Sequence, residues 1–294
     1  MEEDMFEFEK ILKEEAQLRA LSEVTYKTYF YRIRLFYNYF QKPLSTISLQ
    51  EIREYFIYLI NVKKSGRETI RNTRFAIRFY YVNCLGYKDY KLDFVKIRIQ
   101  HKIPDIISRD EVRLVLSKIR VPDYRCCLEL IYSCGLRIGE AVRIKNCDID
   151  GERRIVTIRD GKGKKDRAVP IPESMLLKLR KHWKTHQNPN LLFPKLRSRK
   201  KRYDRSEIVD SVAKRTIQGA MKLALKESGL NKRVTPHTLR HCYATHLLEA
   251  GANIKAISKF LGHRSLRPTM IYLQLTNHSE SQSYDILNEI MRDL

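Results

Sequence analysis

The chain has 294 residues, a length that fits two ordinary domains, and its apolar fraction of 43% supports packed cores and excludes a disordered protein. No apolar run reaches the ~18 residues a membrane span needs, and the acidic, amphipathic stretch from Met1 to Lys13 is unlike a signal peptide. The net charge of +23, with 17 tyrosines among the basic residues, favours a polyanionic partner. Duplex DNA carries about one charge per 1.7 Å, and neutralising its phosphates releases counterions.

Residues 1–92 read as helical. From Tyr26 the positions Tyr29, Phe30, Ile33, Phe36, Tyr37 and Phe40 keep a helical period until Pro43. A capping box, Ser48-x-x-Glu51, opens the next helix, which turns Ile52, Tyr55, Phe56 and Leu59 inward. The third runs from about Gly66 to Leu85. Arg67, Arg71, Arg74 and Arg78 share one stripe of it, beside a core-facing stripe of Ile70, Ile77, Tyr81 and Cys84. A solvated row of charge usually mixes signs, and here only Glu68 is close by, so the stripe is a candidate phosphate-tracking face. Residues 93–107, rich in Lys and Arg and ending past Pro104, read as a linker.

A second capping box, Ser108-x-x-Glu111, starts the domain 108–294 with a helix that buries Val112, Val115, Leu116 and Ile119. Its only convincing strands are Ile155–Ile158 and Ala168–Ile171, a β-hairpin joined by Gly161-Lys162-Gly163. From Lys195 to Arg205 seven basic residues face one acid, which suits a loop over DNA or a solvated loop equally. Cys84, Cys126, Cys127, Cys134, Cys147 and Cys242 form no C-x-x-C pair and no metal spacing. They read as reduced thiols of a cytoplasmic protein, with no metal implied. No Walker A sequence or EF-hand loop appears, so no nucleotide or calcium cofactor is expected.

Four blocks carry candidate chemistry. In Cys134-Gly-Leu-Arg137-Ile-Gly-Glu140, Arg137 lies where an apolar segment meets a new helix, and Glu140 can orient its guanidinium. A purely structural Arg–Glu pair fits the same residues. Lys162, flanked by glycines at the hairpin tip, has the reach to protonate a leaving oxygen, with Lys164 and Lys165 as competitors. Thr235-Pro236-His237 marks a helix start, which sets His237 and Arg240 on one face of a first turn where anions are favoured. His263 follows Leu261-Gly262, and Tyr272 follows the turn residues Arg267-Pro268, with Ile271 and Leu273 as anchors. A phenol, with an ordinary pKa of about 10, needs nearby cations to become a nucleophile.

Taken in this order, the blocks resemble the tyrosine recombinase family of phage-integrase type, most closely its Xer branch or a compact transposon-linked recombinase. The likeness is detailed from Ser108 to Tyr272; before that it is only a likeness to a helical core-binding domain. Arg137 matches the first catalytic arginine, Lys162 the hairpin lysine, His237-x-x-Arg240 the H-x-x-R pair, His263 the next histidine and Tyr272 the nucleophile, with Glu140 in support. Gly139 stands where Ser is frequent, and Arg267-Pro268 replaces small polar residues.

The resemblance implies a mainly α fold with a small β-hairpin or sheet in the catalytic domain, arranged as a two-domain C-shaped clamp on double-stranded DNA. It implies strand exchange between two sites through a 3′-phosphotyrosine and a Holliday junction, without metal or ATP. His237 would accept the phenolic proton and Lys162 would protonate the 5′-oxygen. It further implies a homo-tetramer in which the apolar stripe Ile286, Leu287, Ile290, Met291 and Leu294, a helix over about 281–294, docks in trans. Accessory DNA-binding factors and a nucleoid-associated, cytoplasmic location fit the same likeness. The rival readings are a type IB topoisomerase-like enzyme and a non-catalytic DNA-binding regulator.

Overall fold

The computed structural model describes residues 2–88, 90–96, 105–159, 166–195 and 205–273. The chain divides into two compact units, 1–102 and 103–294. Each has its own apolar core.

The first unit is helical: α1 (Glu2–Leu18), α2 (Glu23–Phe40), α3 (Leu49–Asn61) and α4 (Arg67–Phe79), which continues as a π turn through Tyr80–Cys84. Local chemistry sets the ends. Gln41 closes α2 in the left-handed conformation, and the Ser48–Glu51 capping box forms in both directions at the start of α3. Ile33, Phe36, Ile52, Tyr55, Ile77 and Tyr81 fill the core between them. The Tyr81 hydroxyl donates to the Leu44 carbonyl at 2.6 Å, and its ring stacks on Tyr90 at 4.4 Å. Leu92 and Val95 belong to this core and Ile107 to that of the second unit, so both ends of the expected linker are packed.

The arginine stripe of α4 is less one-sided than its sequence suggests. Arg67 and Arg78 are exposed, while Arg71 lies 3.4 Å from Glu68. Arg74 is half-buried and 3.7 Å from Asp93, an acid that the chain brings in from 19 residues downstream. Spacing along one helix cannot reveal such a partner.

In the second unit, α5 (Arg109–Ser117), with its Ser108–Glu111 capping box, and α6 (Pro122–Cys134) lead into the short α7 (Ile138–Ala141). The hairpin is part of a three-stranded antiparallel sheet: β1 (Ile149–Asp150), β2 (Ile155–Ile158) and β3 (Arg167–Pro170), in that order. Strand β1 was not evident in the sequence because two residues carry no alternation. Strand β3 starts one residue earlier than expected, with Arg167 opposite Ile158. Helices α8 (Glu173–Trp183), α9 (Lys214–Ser228), α10 (Pro236–Glu249), α11 (Ile254–Leu261) and α12 (Arg267–Met270) complete it. Among the described residues, no helix is long and apolar enough to cross a membrane.

Helix α10 runs through the centre and packs on α6. It is buried on nearly every side, from Thr238 and Leu239 to Thr245 and His246. Its position depends on Gly135, which ends α6 at φ +61°. A Cβ there would lie 2.4 Å from the Tyr243 ring. Gly135→Ala should cost about 2 kcal/mol from overpacking and left-handed backbone strain. The thermal midpoint should fall by roughly 4–8 °C. A midpoint within about 1 °C of wild type would contradict this packing.

Candidate functional site

The site assembles around the first turns of α10. Thr235 caps the helix, its hydroxyl accepting from the Thr238 backbone N–H at 3.2 Å, and Pro236 sits at the first position. This start places His237, Arg240 and His241 together. Arg240 is only 2% exposed. One Nη donates to the Gly135 carbonyl at 2.7 Å and the other to the Leu261 carbonyl at 2.6 Å. These carbonyls belong to the C-terminal ends of α6 and α11, where helix dipoles favour a cation. Gly135 and Gly262 end the two helices in the left-handed conformation. Burial, together with Arg137, lowers the Arg240 pKa to about 10, and Glu140 pulls the other way; the group remains cationic at neutral pH.

Glu140 links the cations. Its carboxylate accepts from Arg137 Nη at 2.7 Å and from the Arg137 backbone at 2.8 Å, and lies 3.8 Å from Arg240. Its strongest partner was not legible in the sequence: Arg167, at the start of β3, donates two parallel hydrogen bonds at 2.8 and 2.9 Å. Burial alone would raise the Glu140 carboxyl, but the bonds from Arg167 and Arg137 outweigh it and bring it down to about 2. Arg167 Nε also donates to the Phe260 carbonyl at 2.9 Å. A Cβ at Gly262 would come within 2.8 Å of its Cδ. One guanidinium therefore ties the turn end of the hairpin to α7 and to the end of α11. Arg167 was hidden because it occupies an ordinary strand position; the cue was a buried acid with more bonding capacity than one arginine fills.

His263 follows α11. Its Nδ1 lies 2.8 Å from the Thr269 hydroxyl, and its Nε2 is 3.5 Å from Arg240. Arg267 and Pro268 are not a turn but the opening of α12, and Thr269 there accepts the Tyr272 backbone N–H at 3.0 Å. Tyr272 is 3% exposed, packed in a small cluster with Tyr243, Ile257 and Leu261. Ile271 helps to anchor it, whereas Leu273 is exposed, contrary to expectation. The Tyr272 hydroxyl meets His241 Nδ1 at 2.8 Å, not His237. His237 keeps an exposed face and sets its ring edge-on to His241, 4.6 Å away. Burial, Arg240 and Arg137 lower its pKa. His241 also escaped the sequence reading, although it sits four residues after His237, on the same helical face.

Arg137, Glu140, His237, Arg240, His263 and Tyr272 thus converge in one place. Lys162, Lys164, Lys165 and the segment 281–294 lie outside the described residues. Arg67, Arg71, Arg74 and Arg78 belong to the first unit. No cluster that could hold a metal ion occurs among the described residues.

Residues 105–279 match the phage integrase family, and residues 8–89 match the N-terminal SAM-like domain of phage integrases. The chain is 34% identical to a putative integrase/recombinase of Sinorhizobium fredii, over 91% of this chain and 84% of that one. It is 31% identical to the tyrosine recombinase XerA of Pyrococcus horikoshii, with 88% and 86% covered. Its fold is similar to that of a XerH site-specific recombinase bound to a palindromic difH substrate. That match has a TM-score of 0.70, 21% identity, and 97% of this chain and 85% of the other covered. A lambda integrase in a tetramer bound to a Holliday junction matches at TM-score 0.72 and 19% identity, with 92% and 76% covered. The chain therefore belongs to the phage integrase family and, within it, to the Xer-like site-specific tyrosine recombinases.

Removing one partner of a buried charge pair leaves the other uncompensated, at about 3–5 kcal/mol. Arg167→Gln should lose stability on that scale at neutral pH. Glu140→Gln combined with Arg167→Gln should recover part of it, with a coupling of about 1–3 kcal/mol by denaturant unfolding. Additive effects would show that the pair does not act as a unit.

Proposed function

We propose that this recombinase cuts a DNA phosphodiester with Tyr272 as nucleophile, forming a 3′-phosphotyrosine and freeing a 5′-hydroxyl. The observation that carries the reading is the Tyr272 phenol lying near the cations Arg240 and Arg137, with His237 and His263 in the same cluster. In this reading Arg240 and Arg137 hold the non-bridging oxygens as charge builds on phosphorus, and His263 adds a hydrogen bond. Arg240 meets the phosphate with its guanidinium already fixed by two carbonyls, so little reorganisation is needed at the moment of reaction. Lys162 is the candidate donor to the departing 5′-oxygen. The 5′-hydroxyl of a partner duplex then reverses the step, which conserves bond energy and accounts for strand exchange through a Holliday junction without ATP.

The first unit is the candidate core-binding domain. Its match to the SAM-like domain and the exposed Arg67 and Arg78 support this reading. Arg71 and Arg74, each beside an acid, contribute less to phosphate contact. Arg67→Ala and Arg78→Ala should each weaken DNA binding with little regard to sequence and reduce the log–log salt slope by about 1. Unchanged slopes would remove α4 from the interface.

Assembly into a tetramer on two DNA sites is the companion proposal. Between α5, α6 and α8 lies a cavity of about 310 Å³. Val112, Leu116 and Met175 give it an apolar lining, with Arg113, Arg125 and Lys178 beside them. The segment 281–294 pairs its apolar stripe with Asp285, Glu289 and Asp293, and it is too short to be a stable helix alone. That cavity, in a neighbouring subunit, offers apolar and basic side chains to the stripe and acids of this segment, with Glu129 already paired to Lys178 at 2.9 Å. A chain truncated after Thr276 should bind DNA without forming the tetramer in sedimentation; unchanged assembly would remove docking in trans.

A suicide substrate tests the chemistry: a nicked duplex carrying a candidate recombination site. Wild type should form a DNA adduct that survives SDS, and Tyr272→Phe should bind without forming one. An adduct that persists in Tyr272→Phe would reassign the nucleophile.

A further inference from the structure

Among the described residues, the side chain within hydrogen-bond distance of the Tyr272 hydroxyl is not the histidine of the H-x-x-R pair. His241 Nδ1 stands 2.8 Å from that oxygen. The contact is sheltered, since Tyr272 is buried and His241 half-buried. His237 and Arg240 face the pair from α10, Arg137 from the start of α7 and His263 from beyond α11, with the Cys242 thiol near the phenol.

Burial, followed by His237, Arg240 and His263, depresses the imidazole of His241 to about 4. Burial also raises the Tyr272 phenol, although Arg240 and Arg137 act against it. Both partners are therefore neutral at rest, and the tautomer with its proton on Nε2 lets the phenol donate to Nδ1. The gap between the two proton affinities is too wide for transfer in the DNA-free protein. A phosphodiester bound by Arg137 and Arg240 changes that balance. Its negative charge offsets the cations that disfavour a second proton on His241, and attack on phosphorus makes the phenolic proton acidic.

Resting on the recombinase reading above, we propose that His241 is the group that receives the phenolic proton of Tyr272, and that the bound scissile phosphate switches it on. As the phenolic oxygen bonds to phosphorus, its proton passes to His241 Nδ1. The bond from phosphorus to the 5′-oxygen breaks, and that oxygen takes a proton from the general acid. When a 5′-hydroxyl attacks the phosphotyrosine, His241 returns the proton to the leaving phenol. His237, packed edge-on against His241 with one face exposed, is left to contact the phosphate.

The test is single-turnover adduct formation on the nicked duplex from about pH 5 to about pH 9. It compares wild type, His241→Asn, His241→Ala and His237→Asn. The asparagine keeps an amide near the place of Nδ1 but cannot take the proton. Both His241 variants should bind the duplex as wild type does and form adduct about 10²–10⁴-fold more slowly. Wild type and His237→Asn should lose rate toward the acid end, where His241, lifted by the bound phosphate above its DNA-free value of about 4, becomes protonated; both His241 variants should lack that limb. Should His241→Ala lose its fold, His241→Asn, with its thermal midpoint checked, carries the comparison by itself. A near-wild-type rate in His241→Asn, or an acid limb retained in that variant, would overturn the assignment while leaving the recombinase reading intact. No adduct in wild type, or one that survives Tyr272→Phe, would overturn that reading and this step with it.

Discussion

Arg240 is a cation buried where two helices end, and much of the second unit is arranged to make that tolerable. Taking a guanidinium out of water costs several kcal/mol unless its hydrogen bonds are replaced. The replacements here are the carbonyl of Gly135, the carbonyl of Leu261 and the nearby carboxylate of Glu140. Both carbonyls lie at the negative ends of helix dipoles, and both helices stop through a left-handed glycine. A single carboxylate then holds Arg137 beside Arg240, because Arg167 neutralises it from the other side. Charge, helix termination and strand position are thus parts of one solution.

That solution fixes the guanidiniums through hydrogen bonds within the protein, the kind of preorganisation that electrostatic stabilisation of a transition state requires. Tyr272 is held differently. It is placed by a four-residue helix, a small apolar cluster and one hydrogen bond to His241. On the proposed function, a fixed phosphate clamp and a buried Tyr272 are the two parts of the cleavage site.

Much of this was legible in the sequence wherever the cause is local. The capping boxes at Ser48 and Ser108 and the start of α10 at Thr235-Pro236 each depend on a few adjacent residues. The ordered set Arg137, Glu140, His237, Arg240, His263 and Tyr272 was readable through its resemblance to a family, although no single block was decisive. What escaped depends on distant contact. Arg167 reaches Glu140 from 27 residues away, and His241 is paired with Tyr272 across 31. Arg74 finds Asp93 only once the chain folds back on the first unit. Strand β1 owes its existence to pairing with β2. In each case the sequence shows the residue, but only the fold supplies its partner.

The central claim is that the phosphate clamp is built before substrate binds, with Arg240 locked by its carbonyl partners. Nitrogen-15 NMR of the arginine side chains in the DNA-free protein tests it most directly. The account predicts separate, slowly exchanging Nη signals for Arg240, reflecting hindered rotation about the guanidinium. It also predicts that they change little in shift when a duplex bearing the site is added to Tyr272→Phe. A single averaged Nη signal in the free protein that resolves only with DNA would contradict it, and would mean that substrate builds the clamp.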